Sequence, residues 1–438
     1  MDVDTLLHAG WIATVDANNS ILTQHSLAMN AGRICAILPR TEAKEQLQAR
    51  LSCDLDGHIL IPGLVNCHTH AAMSLLRGIA DDLPFNTWLH DYIWPTEARW
   101  ASEEFVHDGT QLALLEMLRG GTTCFNDMYF FPDVTANAVA KAKMRACIGM
   151  IVLDFPTSWA DNSDAYFAKG LALHDQFRNN DLIVTAFAPH APYSVANPNL
   201  ERIVVLAEEL NLPVHIHLHE AEAEIANSMS EYGMRPLERM QDLGLLSPRL
   251  VAVHMTQLLP EEISALAVHG SNVVHCPESN LKLASGISPI VDLVNAGVNC
   301  ALGTDGPASN NDLNLFGEMH TAALLAKGTT GNASALPAAQ VLRMATMNGA
   351  KALGVESVIG SLELGKDADV VAVDLNAAET TPVYNPVSQL VYASSRFQVR
   401  HVWVKGQHLL DNRLAVTLDQ DSILKRARVW AERILSQQ

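Results

Sequence analysis

Val214-His215-Ile216-His217-Leu218-His219-Glu220 alternates an apolar residue with a histidine three times over. Side chains two apart on a strand share a face, so His215, His217 and His219 point one way and Val214, Ile216 and Leu218 the other. Three imidazoles turned toward a protein interior are costly unless each finds a hydrogen bond or a ligand. The fold therefore turns on what surrounds this strand.

Seven more short apolar runs flank it, at Ile59–Val65, Thr122–Phe125, Ala146–Val152, Leu182–Ala188, Leu250–Val253, Asn272–His275 and Val298–Leu302. Amphipathic stretches such as Ser102–Arg119, Asn199–Glu209 and Pro260–Val268 separate most of them. Eight strands alternating with helices predict an α/β fold of the (β/α)8 TIM barrel type. A doubly wound open sheet gives the same periodicity, which alone does not separate the two. The two ends of the chain are β-rich instead. Leu6 to Val15, Ser26 to Ile37, Asp369 to Asp374 and Val399 to Lys405 read as strands. The expected organisation is a barrel over 60–362 and a small β-sandwich-like domain assembled from 1–59 plus 363–438. A length of 438 residues suits a barrel of about 250 residues with a second unit.

A barrel predicts its chemistry at the C-terminal ends of the strands. The first run continues as Pro62-Gly-Leu-Val-Asn-Cys-His68-Thr-His70, and His68 and His70 share a face. The sixth run ends at His254, and the eighth leads into Gly303-Thr-Asp305-Gly. Alone, an HxH pair is as easily a core pair, and an Asp before Gly a turn or helix cap. Together, imidazole and carboxylate groups at several strand ends describe a catalytic zinc site with an open position. Iron or another divalent metal accepts similar ligands.

The bulk properties exclude other classes. A net charge of −19 lacks the basic footprint of a nucleic-acid binder. No run reaches 18 apolar residues, so no membrane span is expected. The N-terminus MDVDTLLHAG has neither a basic nor a long apolar region, and the seven cysteines form no CxxC pair. A reduced, cytoplasmic protein is expected. Exposed barrel helices would allow a homo-oligomer, although no diagnostic stripe marks one of them.

The motifs LIPGLVNCHTHAAMSLLRG, HIHLHE, VHMT, VHCPESNLKLASG, GTDGPASNNDLNLF, ATMNGAKALG and GSLELGKDADVVAVD span essentially the whole chain. In combination they resemble the amidohydrolase superfamily, and within it the methylthioadenosine/S-adenosylhomocysteine deaminases. The resemblance implies a barrel plus a composite terminal β domain. It implies His68, His70, His217 and Asp305 as ligands of one zinc per subunit, Fe2+ being the alternative. Two-metal relatives carry a carboxylated lysine after the fourth strand, and Leu182 to His190 contains none. Glu220 matches the catalytic acid/base, and His254 the histidine that contacts the metal's water. His215 is read as a satisfied interior residue and His219 as a supporting one.

The reaction implied is hydrolytic deamination at C6 of adenine. A metal lowers the pKa of its water from about 15.7 toward about 7. Asp305 would accept the water's proton, and Glu220 would protonate the ring nitrogen and then the departing amine. Glu97 matches a glutamate that binds ribose hydroxyls, His190 a histidine that hydrogen-bonds the purine, and Trp88 would wall the 5′ group. Relatives that take S-adenosylhomocysteine use arginines after the third strand. Between Met150 and Phe177 this chain has no arginine and only Lys169, while Phe155, Pro156 and Trp159 offer an apolar lining. The expected order of substrates is 5′-methylthioadenosine, adenosine, then S-adenosylhomocysteine. Another amidohydrolase activity, on guanine, cytosine or a triazine, is the competing reading. A non-enzymatic scaffold barrel fits poorly, because the full ligand set and the acid are present.

Overall fold

The computed structural model describes residues 1–436. They fall into two compact units, one made of Met1–Val65, Leu115–Cys124 and Asn314–Asp419, the other of Asn66–Leu114, Phe125–Leu313 and the segment from Gln420.

An eight-stranded sheet pairs its strands in chain order: Leu64–Thr69, Thr122–Asp127, Arg145–Val152, Ile183–Pro189, Val214–Leu218, Leu250–His254, Asn272–His275 and Asn299–Leu302. The pairing is parallel, and almost every strand residue is buried. That is why these strands read as continuous apolar runs: a parallel sheet is covered on both faces. The ends of the sheet approach each other. The Asp305 N–H donates to the His68 carbonyl at 3.0 Å. A Cβ on Gly303 would lie 2.8 Å from the His68 Cβ, so only glycine permits the eighth strand to come this near the first. The fold is the (β/α)8 barrel expected from the alternation. Intervening helices include Pro132–Ala142, Ser163–Phe177, Asn197–Leu210 and Pro260–His269. Asn162 caps one of them by accepting the Ala165 N–H, and Gly270 ends another in a left-handed turn. The C-terminal helix Gln420–Leu435 is pinned by Trp430, whose Nε1 donates to Asp108 at 3.0 Å.

The other unit holds a mixed nine-stranded sheet drawn from both ends of the chain. Asp2–Ala13 and Gln48–Pro62 pair in parallel at its centre, and antiparallel strands extend it on either side. Its core gathers Leu7, Ile12, Leu27, Leu60, Val370 and Trp403.

Two sequence expectations change. The run Ile59–Val65 is not one strand. Ile59–Pro62 ends the long terminal-sheet strand, paired with Val370–Val373, and the barrel strand starts at Leu64. Gly63 makes the break, for a Cβ there would lie 2.0 Å from the Thr123 hydroxyl. Ser26 to Ile37 is likewise two strands, His25–Asn30 and Arg33–Pro39. Ala31 and Gly32 take φ of 49° and 80°, the two positive values of a tight hairpin turn. Alanine at the first of these positions hid the turn. No described helix is long and apolar enough to cross a membrane. None of the seven cysteines is joined in a disulfide, and five of them are buried.

Candidate active site

Barrel strands deliver the chemical groups at their C-terminal ends. His68 lies in the first strand with His70 just beyond it, His217 in the fifth, and His254 closes the sixth. Asp305 follows the eighth. His219, His254 and Asp305 have φ of 53°, 75° and 62°, a left-handed region that non-glycine residues seldom occupy. Such strain persists where surroundings over-determine it, and it concentrates at functional sites.

His68, His70, His217 and Asp305 converge, each offering a ligand atom within 4.8 Å of the others. Asp305 Oδ1 lies 3.1 Å from His68 Nε2 and 3.2 Å from His70 Nε2, and His217 Nε2 lies 3.3 Å from His70 Nε2. The opposite ring nitrogens are held from behind. His70 Nδ1 donates to the Met128 carbonyl at 2.6 Å and His217 Nδ1 to the His190 carbonyl at 2.7 Å. His68 Nδ1 meets His215 Nε2 at 2.9 Å. A proton fixed on Nδ1 leaves the Nε2 lone pair free to ligate. Ser279 and Ser309 donate to Asp305 Oδ2 at 2.7 and 2.6 Å, and the Gly306 N–H to Oδ1 at 2.8 Å.

Burial lowers His68 to about 4 and takes His217 well below the usual imidazole range. Burial acts the same way on His70, but the hydrogen bond and charge of Asp305 outweigh it and raise that ring to about 9. Against its own burial, Asp305 is held well below the usual carboxylate range by His68 and His70. The cluster thus favours one concentrated positive charge. Three imidazoles and a carboxylate suit a divalent cation of the zinc class with a position left open. His254 Nε2, buried and without a hydrogen-bond partner among the described residues, adds a polar group that needs one. Its Nδ1 is fixed by Asn280 Oδ1 at 2.8 Å, and Nε2 stands 3.7 Å from Glu220 Oε1.

Glu220 is itself buried, which raises its carboxyl pKa while His254 pulls the other way. Glu224 clamps the backbone here, accepting the His219 N–H at 3.0 Å and the Glu220 N–H at 2.8 Å. The three histidines of the fifth strand part company. His217 joins the cluster. His215, expected to be satisfied, backs His68 and keeps a buried Nδ1 without a hydrogen-bond partner. His219 turns away, and its Nε2 accepts the Leu237 N–H at 2.9 Å.

A cavity of about 500 Å³ opens from this cluster. Its polar end carries His70, His217, Glu220, His254 and Asp305, with His190 beside them. Burial depresses His190 to about 3, so that ring is neutral. The other end is apolar. Trp88 lines it from a π-helical turn over Trp88–Ile93, its Nε1 donating to the Ala308 carbonyl at 3.3 Å. Trp94 and Phe155 lie across from each other with ring centres 6.2 Å apart. Glu97 is the carboxylate at this end, 7% exposed, and burial pushes it up to about 7. The Tyr129 hydroxyl is close enough to oppose that shift. No lysine or arginine is among the described lining residues. Of the expected apolar lining, Phe155 and Pro156 face the cavity but Trp159 does not. Trp159 packs on Tyr166 at 5.6 Å, and Lys169 is tied to its backbone carbonyl.

The sequence profile of the Amidohydrolase family matches residues 59–409. A 5-methylthioadenosine/S-adenosylhomocysteine deaminase of Teredinibacter turnerae is 50% identical, covering 99% of this chain and 98% of that protein. The chain belongs to the amidohydrolase family, in its methylthioadenosine/S-adenosylhomocysteine deaminase branch. The crystal structure of an adenosine deaminase from Xanthomonas campestris with bound zinc is 50% identical, with a TM-score of 0.98 and 99% of each chain covered. An atrazine chlorohydrolase from Arthrobacter aurescens reaches a TM-score of 0.90 at 24% identity over 97% of this chain and 99% of that one, which shows a shared fold.

In this amidohydrolase, several supporting residues escape a sequence reading. Ser279 and Asn280 lie inside the quoted VHCPESNLKLASG stretch, yet Ser and Asn are common in loops and only the short helix Pro277–Lys282 turns them inward. Glu224 and Tyr129 carry no local signal at all. Glu224 matters by folding back on the backbone of Glu220 just before it, and Tyr129 by reaching Glu97 from a distant part of the chain.

Proposed function

We propose that this enzyme deaminates an adenine nucleoside by hydrolysis, taking 5′-methylthioadenosine first, adenosine close behind and S-adenosylhomocysteine after both. The observation that carries the reading is the make-up of one cavity. A ligand cluster and Glu220 stand at one end, and at the other an apolar wall surrounds the single buried carboxylate Glu97.

His68, His70, His217 and Asp305 would hold one zinc per subunit, with ferrous iron as the alternative. When bound, the ion supplies a nucleophilic water at neutral pH. Asp305 would accept a proton from the attacking water. His254, oriented by Asn280, offers Nε2 to hold the attacking oxygen. Glu220, whose carboxyl pKa burial pushes up, donates to the ring nitrogen next to C6 as the C6–O bond forms. The carboxylate left on Glu220 takes the proton of the new C6 hydroxyl and relays it to the amine, the C6–N bond breaks and ammonia leaves, and the proton held by Asp305 returns to Glu220. His190, neutral, hydrogen-bonds the purine, and Glu97 accepts from the two ribose hydroxyls. Trp88, Phe155 and Pro156 pack against the 5′ substituent. A cavity without lysine or arginine gives no counter-charge to an amino-acid carboxylate, which favours a methylthio group there.

Loading the protein with zinc and following adenine-to-hypoxanthine absorbance with ammonia release from 5′-methylthioadenosine tests this. Stoichiometric ammonia is expected. A metal-loaded protein that turns over none of the adenine nucleosides would refute it.

A further inference from the structure

A second group of histidines, in the terminal-sheet unit, has no part in the reading above. Val399–Val404 and Gln407–Asp411 form an antiparallel hairpin around Lys405 and Gly406. Its register pairs Trp403 with His408 but Val402 with Leu410, so one extra residue, Leu409, is inserted as a β-bulge. In a regular strand His408 and Asp411, three apart, would face opposite ways. The bulge brings both onto the face that carries His401 and Trp403.

The result is a convergence of ligand atoms. His401 Nδ1 lies 3.3 Å from His408 Nε2 and 3.2 Å from Asp411 Oδ1. The Asn412 N–H also lies 3.3 Å from His401 Nδ1, so three polar groups crowd one ring nitrogen. Trp403 stacks on His408 with ring centres 4.5 Å apart and planes 11° apart, fixing the ring. His58 stands beside the group, its ring centre 6.2 Å from that of His401, with a buried Nδ1 that has no hydrogen-bond partner. The Asp411 side chain is 61% exposed, giving an ion a way in.

We propose that His401, His408 and Asp411 form a second divalent-cation site of the zinc class, two imidazoles and a carboxylate with the remaining positions open to water. The ion clips the two strands of the hairpin together. With three ligands and more exposure, it exchanges more readily than an ion held by the barrel cluster.

Wild type, His408→Ala, Asp411→Asn and His70→Ala are dialysed against micromolar zinc, and zinc per chain is counted by atomic emission. His408→Ala should carry one ion fewer than wild type and keep the wild-type catalytic rate. His70→Ala should lose a different ion together with its rate, so the two sites fail independently. If His408→Ala does not fold, Asp411→Asn, altered at an exposed carboxylate, should still bind the hairpin ion at least ~10-fold more weakly. Equal zinc counts in wild type and His408→Ala, or unchanged affinity in Asp411→Asn, would each overturn the site.

Discussion

The two ends of the barrel cavity are built on opposite principles. At the polar end the four ligand residues are held from behind: His70 and His217 are locked by backbone carbonyls, His68 by His215, and Asp305 by two serines and the Gly306 N–H. At the apolar end the walls are aromatic, and Phe155, though it lines the cavity, is 41% exposed. Rigid positioning serves bond making, where small displacements are expensive. An apolar wall discriminates by only a few kcal/mol and can be re-shaped without harm to the chemistry. The difference teaches that reaction type and substrate choice are separable properties of this site.

Substitutions sharpen that contrast in descending order of effect. Glu220→Gln keeps the shape but removes the proton donor. Turnover should fall by about 10²–10⁴-fold with bound metal unchanged, read by steady-state kinetics and metal analysis. Near wild-type turnover would break the assignment. His215→Phe leaves the four ligands in place but takes the support from behind His68. Metal affinity should drop by about 10–100-fold, measured by competition with a chelator, whereas an unchanged affinity would make His215 mere filling.

Glu97→Gln acts at the other end. Losing a charged acceptor should lower kcat/KM for nucleosides by roughly 10–100-fold and leave free adenine unaffected. The pH profile gives a second check. Burial raises Glu97 to about 7, so below that pH it takes up a proton and is a poorer acceptor for two hydroxyls. Nucleoside kcat/KM should fall as pH drops through about 7, and Glu97→Gln should flatten that limb. Phe155→Ala should do least, about 1 kcal/mol or roughly fivefold in kcat/KM for 5′-methylthioadenosine, with adenosine little changed.

Much of the polar end was legible because strand chemistry is local. A two-residue period puts His68 near His70, and a barrel sends strand ends to one mouth, so the ligand set could be named from spacing and family motifs. What was hidden depends on backbone turns and distant partners. The period that grouped His215, His217 and His219 does not show that His219 takes a φ of 53° and leaves the mouth. Nor does it show that Asp305 leans on Ser279, which is 26 residues away. At the apolar end, Phe155 and Trp159 looked equivalent in sequence. A loop too short of periodicity to read sends one to the cavity and the other to the core.

The most direct measurement is kcat/KM across 5′-methylthioadenosine, adenosine, S-adenosylhomocysteine, free adenine and guanine with one metal-loaded preparation. The account predicts that 5′-methylthioadenosine leads, adenosine follows closely, S-adenosylhomocysteine lags and the free bases trail. A free base at the head of that series would leave the polar end standing and contradict the role given to Glu97 and the apolar wall.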